Sequence, residues 1–293
     1  MDEDLFSQLA EVLVRRDLGS RLGRLFTPEV AVWWPFGQAE GVGAAEMALL
    51  PLSLALPRVQ VRGEDLISDG SGLAAARLVL SAPAVAPGVL GAGAGAVRFR
   101  VMAELDLRGG RVARAVLIPD SGAVLTQAGQ VTRAWAVGRA VRALPTPAAC
   151  RGDSGHWARA WGDLLEGAMR GGFSAFARQY DPAAQIDWPG GTVAHGPAAA
   201  DALWLGLRGA FPSARFTLHH RLGRADALMP PRASVRWRLV GRHDGWGPFG
   251  APSGAEVTLD GISMVEFGPE GIRREWTVYD EAAIWAQIGA GRS

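Results

Sequence analysis

Apolar and polar positions follow two different periods along this chain. Residues 5–26 and 157–180 carry apolar side chains at helical spacing. Most of the sequence after each of these segments instead alternates with a period of two. In residues 234–243, Val235, Trp237 and Leu239 share one parity with His243, and arginines occupy the other parity. This pattern predicts helices followed by a sheet that has one buried face and one wet face.

The order of helices and strands occurs twice. "LFTPEVAVWWPFG" (25–37) aligns with "QYDPAAQIDWPGG" (179–191), and "PDSGAVLTQAG" (119–129) aligns with "YDEAAIWAQIG" (279–289). We therefore predict an α+β protein of two tandem cone-shaped domains, each a curved, mainly antiparallel sheet wrapped on N-terminal helices. The predicted domains are 1–130 and 154–293, joined by a linker at 131–153 that includes a short helix.

Composition narrows the classes of function. The 293 residues are 48% hydrophobic, enough for two cores, and the net charge of +1 offers no basic footprint for nucleic acid or an anionic membrane. The uncharged run 78–97 contains Pro83 and Pro87 and is not expected to span a membrane. Cys150 is the single cysteine, so no internal disulfide can form. The acidic start "MDEDLFSQLAEVL" lacks signal-peptide features and predicts a cytoplasmic location.

Several short motifs of the second copy occur together in one order. They are "WPG" (188–190), "HG" (195–196), "AFP" (210–212), "GRHDGWGPFGAPSG" (241–254) and "GIRREWTVYDEAAIWAQIG" (271–289). In this respect the second copy resembles the SnoaL-like polyketide cyclases of the nuclear transport factor 2-like, or cystatin-like, superfamily. The resemblance implies the cone fold and an intramolecular aldol ring closure that uses neither metal nor organic cofactor. The same fold also serves isomerases, epoxide hydrolases, dehydratases and noncatalytic binding modules.

Asp280 is the first candidate catalytic residue. It shares the parity of Ile272, Trp276 and Val278, so its carboxylate is expected among apolar neighbours, where desolvation raises the pKa. An aspartate at this place in the closing strand is the acid/base of the cyclases that this copy resembles. The alternative is that Asp280 only caps the helix that follows it.

His243 is the second candidate catalytic residue, as a neutral imidazole that polarises a substrate oxygen. The alternative is a histidine that stabilises its own turn. His195 is a weaker candidate for substrate binding. The predicted lining for a flat hydrophobic ligand consists of Trp188, Trp204, Trp237, Trp246, Phe249 and Trp276. The alternative is that these aromatic residues belong to the hydrophobic core, as most aromatic residues at such positions do. No spacing of histidines and carboxylates indicates a metal, so we predict no metal and no cofactor.

The first copy lacks several of these polar groups. Ala84 stands in the place of His243, Glu40 in that of His195, and Val116 in that of Trp276. We therefore predict that the first copy is degenerate and structural, that the copies form an intramolecular pseudo-dimer in a monomer or weak homodimer, and that the second domain has the more polar and more open cavity.

Three functions remain open. The first is a cofactor-independent acid/base enzyme of the cyclase or isomerase type, acting on a small hydrophobic carbonyl compound in the second domain. The second is opening of an epoxide, which needs two converging carboxylates, whereas Asp187 has the opposite parity to its apolar neighbours. The third is noncatalytic binding of a small hydrophobic molecule or a scaffold role.

Overall fold

The computed structural model describes residues 18–87, 93–152, 155–171 and 176–291. The first predicted helical segment, 5–26, lies largely outside the described residues, and its described part contains the helix α1 (Leu18–Leu25). The acidic N-terminal stretch also lies outside them. In the second segment, the helix α5 (His156–Met169) ends before the segment does.

After α1, the first half contains six strands, which form one sheet, and further helices. Its elements are β1 (Phe26–Trp34), β2 (Gly37–Glu40), α2 (Val42–Ala55), β3 (Gln60–Ser68), β4 (Leu73–Ala82), β5 (Val97–Arg108), β6 (Arg111–Pro119) and α3 (Ser121–Gln127). The short helix α4 (Thr132–Ala136) follows, within the predicted linker.

The second half repeats this order after a two-residue strand, β7 (Arg151–Gly152). Its further elements are α5 (His156–Met169), β8 (Tyr180–Trp188), β9 (Thr192–His195), α6 (Pro197–Ala210), β10 (Arg215–Asp226), β11 (Met229–Arg242), β12 (Glu256–Gly268), β13 (Gly271–Tyr279) and α7 (Glu281–Ala290).

The two sheets have the same strand order. It is β2-β1-β6-β5-β4-β3 in the first sheet and β9-β8-β13-β12-β11-β10-β7 in the second. In both, the first long strand pairs in parallel with the last strand, β1 with β6 and β8 with β13, and the other long strands pair antiparallel. The prediction of an α+β protein with two tandem sheet-and-helix units is confirmed.

The two halves pack sheet against sheet. Ile67, Met102 and Ile118 of the first half form one apolar cluster with Met264 and Val278 of the second. The Arg77 guanidinium lies 3.5 Å from the centre of the Trp276 ring across this boundary. The outer face of each sheet is therefore buried by the other half.

The alternating pattern predicted that the face of β11 that carries the arginines is exposed to solvent. The structure shows that this face is buried. Arg236 is fully buried and Arg238 is 8% exposed. Arg236 donates to Glu104 of the first half and to the carbonyl of Pro145, and Arg238 donates to the carbonyl of Leu144. The linker and the first sheet cover this face, and their acceptors satisfy its arginines.

None of the described helices combines the length and apolar composition that crossing a membrane requires.

Candidate functional site

An apolar cavity of about 360 Å³ lies inside the first half, between α2 and the sheet. It is lined by aliphatic and aromatic side chains from α1, α2 and every strand of the sheet except β2 and β3. Phe36 and Trp135 are part of its wall and pack edge to face, with 5.6 Å between their ring centres. The charged or hydroxyl side chains in its lining are Ser121, Arg139 and Asp280. Such an enclosed apolar space with few polar groups is typical of a small-molecule site.

The cavity exists because the first half has smaller side chains than the second at matching positions. Leu49 and Trp204 are both the eighth residue of their fourteen-residue helices. Leu78 on β4 pairs with Val101, whereas Trp237 on β11 pairs with Gly261. A Cβ on Gly261 would lie 2.2 Å from the Trp237 ring, so the glycine makes room for the indole.

The last strand of each half shows the same difference. Ala115 and Pro119 of β6 line the cavity. Glu275 and Tyr279 stand at the matching places of β13, counted back from the aspartate that follows each strand, and both are buried. The larger side chains fill the interior of the second half with atoms where the first half is hollow. This cavity thus lies in the half that was expected to have the less open one.

Asp280 enters the wall of this cavity from the second half. It follows β13 and caps α7, where its Oδ1 accepts from the Ala283 amide at 3.1 Å. Ser121 of the first half donates to the same oxygen at 2.5 Å and accepts from the Ala282 amide. The Oδ2 atom is buried and has no hydrogen-bond partner among the described residues.

The electrostatics of Asp280 follow from this position. Burial raises the pKa of its carboxyl to about 7, and the hydrogen bond from Ser121 opposes that rise. A carboxyl group with such a pKa is present in both protonation states near neutral pH, so it can accept or donate a proton. It also caps a helix, which was the alternative role.

The two faces of β13 explain why Asp280 is in the first half's cavity. Trp276 and Val278 share the face of Asp280, as their parity indicates, but this face packs on the first half. Ile272 lies in the other core, because a register shift between Ile272 and Arg274 reverses the alternation. The prediction placed the reaction in the second domain, whereas the Asp280 carboxylate lines the cavity of the first half.

His243 is fully buried at the end of β11 but lies in a different place. Its Nδ1 is 3.0 Å from Ser253 Oγ, its amide donates to Ala255, and its carbonyl accepts from the Ser253 and Gly254 amides. The ring packs against Phe211 and Phe249. These contacts stabilise the turn. His243 lines neither of the two spaces that Asp280 lines, so the structure does not bring the two candidate catalytic residues together.

The other predicted binding residues also lie away from the cavity. His195 is exposed on the edge strand β9, and Trp246 is 74% exposed. Trp276 packs under Arg77 between the halves. The remaining predicted lining residues pack within the core of the second half, which was the alternative to a ligand-binding role. They are Trp188, Trp204, Trp237 and Phe249.

The sequence reading missed Glu275, the carboxylate inside the second half. Tyr180 donates to it at 2.5 Å and the Trp204 indole at 3.0 Å, and the Thr277 hydroxyl lies 2.7 Å from Oε1. Burial raises the pKa of this carboxyl, against those hydrogen bonds. Its position beside Trp276 in the closing strand, on the opposite parity, was the available signal.

A second missed group is sealed between the halves. His220 Nδ1 lies 2.8 Å from Glu104 Oε2, and its Nε2 lies 3.1 Å from Ser234 Oγ. Burial raises the pKa of the Glu104 carboxyl. The hydrogen bond from His220 and the nearby charge of Arg236 outweigh burial and lower this pKa to about 2. The order of acid, imidazole and hydroxyl resembles a hydrolytic triad. All three side chains are at most 2% exposed, so we interpret the group as an inter-half contact.

No cluster of three or more metal-ligating side chains occurs among the described residues. Epoxide opening needs a second carboxylate, and Asp187 instead pairs with Arg100 at 2.9 Å and accepts from Gln185. The described lining of the cavity contains one carboxylate, that of Asp280.

Comparison with known families gives a match to the SnoaL-like domain over residues 158–275, which is less than half of the chain. No curated protein shows a significant match. Half-chain similarities to solved structures include a candidate SnoaL-like polyketide cyclase from Jannaschia sp. CCS1, which is 18% identical and covers 48% of this chain and 99% of its own, with a TM-score of 0.39.

Two Streptomyces proteins are similar to the same extent. TsrD from Streptomyces laurentii is 18% identical, with 44% of this chain and 96% of its own covered and a TM-score of 0.40. The candidate polyketide cyclase IdmH from Streptomyces antibioticus is 19% identical, with 46% and 99% covered and a TM-score of 0.39. The match to the SnoaL-like domain falls within the second half of this chain.

Proposed function

We propose that the protein is a cofactor-independent acid/base enzyme of the cyclase or isomerase type, which acts on a small hydrophobic carbonyl compound. The observation that carries this proposal is the unpartnered Asp280 Oδ2 in the wall of the apolar cavity. The SnoaL-like domain at 158–275 supports the same class of chemistry. The reaction occurs in the first half's cavity, with the acid/base supplied by the second half.

The chemistry begins with removal of a proton from the carbon next to the substrate carbonyl. Asp280 Oδ2 accepts this proton, and the electron pair of the broken C–H bond forms the enolate. In an isomerisation, the protonated Asp280 returns the proton to another carbon. In a ring closure, the enolate carbon attacks a second carbonyl of the same molecule, and the alkoxide that forms takes the proton back.

The surroundings of Asp280 suit this role. Ser121 and the Ala283 amide hold Oδ1, so the remaining oxygen is left for the substrate. The apolar walls exclude water, which strengthens electrostatic interactions with the reacting group. Because His243 lies in another core, we assign it no part in the reaction.

Noncatalytic binding of a small hydrophobic molecule is the second candidate. It is favoured by the helix-capping hydrogen bond of Asp280, which gives this carboxylate a structural role, and by the predominantly apolar lining.

The proton-transfer proposal predicts a specific loss of exchange in Asp280→Asn. Flat hydrophobic ketones are first screened for binding by calorimetry, and exchange of their α-protons in D₂O is then followed by NMR. Asp280→Asn is isosteric and should retain binding, while exchange falls about 10²- to 10⁴-fold because the general base is lost.

Asp120→Asn is the matched control. Asp120 is buried and caps α3 through the Ala123 amide, yet it is not part of the cavity lining. We expect this variant to exchange at the wild-type rate. Undiminished exchange in Asp280→Asn would refute the assignment, and binding without exchange in the wild type would support the second candidate.

A further inference from the structure

A groove adjoins the apolar cavity and shares two residues with it. The groove has a volume of about 370 Å³ and lies between residues 139–144, α7 and β12. Arg139 and Asp280 line both spaces. These two residues thus lie where the spaces adjoin, and a ligand that occupied both spaces would contact both of them.

The groove carries positive charge that the described residues do not neutralise. Arg139 and Arg142 both line it and are exposed, and neither forms an ion pair with a described residue. The one other carboxylate in the groove, Asp260, is already paired with Arg238 at 2.8 Å. The groove is thus suited to an anionic group.

Arg139 is held in place. Its guanidinium carbon lies 3.7 Å from the centre of the Trp135 ring, and its Nε donates to the Trp135 carbonyl at 2.9 Å. The two terminal NH₂ groups make no hydrogen bond with the described residues. A stacked guanidinium with both terminal groups available is pre-organised for a bidentate bond to a carboxylate.

We infer that the ligand is an amphipathic keto acid, and that Arg139 determines this specificity by binding its carboxylate. The inference rests on the proposed function, whose substrate class it names. The apolar part enters the cavity, where burial of its surface drives binding. The carboxylate stays at the exposed groove, where it keeps most of its hydration and loses little free energy to desolvation.

The test compares an anionic probe with its neutral methyl ester. They are 4-(2-naphthyl)-4-oxobutanoic acid and its methyl ester, and their dissociation constants are measured by calorimetry on the full chain. We expect the acid to bind about five- to tenfold more tightly than the ester, since a partly exposed bidentate pair is worth about that factor. The advantage should shrink in 1 M NaCl, where screening is strong.

Arg139→Gln should abolish the preference for the acid and leave the affinity for the ester unchanged. Arg133→Gln is the matched control, because Arg133 lies over the Trp285 ring and lines neither space. It should retain the preference. The unchanged ester affinity separates a specific role of Arg139 from a general loss of structure.

Three results would overturn the inference: equal binding of acid and ester to the wild type, a preference that survives Arg139→Gln, or no measurable binding of the acid. Failure of the proposed function is a separate outcome. It appears as absent α-proton exchange, whether or not the acid binds more tightly than the ester.

Discussion

The two halves share one strand order but differ in what occupies the space between helix and sheet. In the second half, Trp204 and Trp237 fill that space and Glu275 is hydrogen-bonded within it. In the first half, Leu49 and Leu78 leave a cavity. The difference teaches that one topology can give a packed core or a binding site, depending on a few side-chain volumes.

The helix-capping aspartates of the two halves sharpen this comparison. Asp120 and Asp280 each follow the last strand and accept from the amide three residues later. Each also accepts a hydrogen bond across the boundary, Asp120 from the Gly190 amide and Asp280 from Ser121. Asp280 alone of the two lines a cavity, because the half that it faces is the hollow one.

The largest effect on stability is expected from hollowing the filled half. Trp204→Leu removes buried volume and the indole that donates to Glu275, so a void and a weakened hydrogen-bond network remain. We expect the free energy of unfolding to fall by about 3 to 5 kcal/mol, as for large-to-small core substitutions. Urea denaturation measures this loss.

The reciprocal change, Leu49→Trp, fills the hollow half at the matching helix position. We expect a change in the free energy of unfolding of less than about 1.5 kcal/mol, since the cavity has room for the larger side chain. Binding of hydrophobic ketones should be lost. Wild-type ketone binding in Leu49→Trp would place the ligand elsewhere and contradict the contrast between the halves.

A further expected effect is on the pH dependence of stability. The folded pKa of Asp280, about 7, lies above the ordinary value of 3.8, so the folded state holds a proton that the unfolded state has released. The stability that this carboxyl contributes is present below pH 3.8 and is lost as the pH rises to 7. The full loss is about 4 kcal/mol, from roughly 1.4 kcal/mol per pKa unit.

Asp280→Asn cannot titrate, so it isolates this contribution from those of the other buried carboxyls. The difference in free energy of unfolding between variant and wild type should grow in favour of the variant between pH 4 and pH 7. Urea titrations at several pH values measure it. A difference in the free energy of unfolding that does not vary with pH would contradict the raised pKa of Asp280.

The smallest expected effect is that of Ser121→Ala. Ser121 donates to Asp280 and thereby opposes the rise in its pKa, so its removal should raise that pKa further. We expect the midpoint of the pH profile of α-proton exchange to move up by about one unit, given the strength of a hydrogen bond to a charged group. Ser121→Thr retains the hydroxyl and should restore the midpoint. An unshifted midpoint in Ser121→Ala would show that the serine has only a packing role.

Much of the fold could be predicted from local patterns. The period-two strands, the helical segments and the aligned "WP" motifs indicate two α+β units, and the parity of β13 puts Trp276, Val278 and Asp280 on one face. The division of roles between the halves was harder to predict. The degenerate character of the first copy, inferred from its missing histidines, stays a prediction, and it is this half that encloses the cavity.

The sequence by itself determined the order of helices and strands along the chain, the candidate Asp280 and its helix cap, because these depend on local periodicity and on the residues next to each helix. Only the tertiary structure decided which face of β13 meets the cavity and which half is hollow. A face is buried or wet according to what packs on it, and here the other half covers both outer faces. A cavity depends on the summed volume of side chains from several elements, which no single stretch of sequence contains.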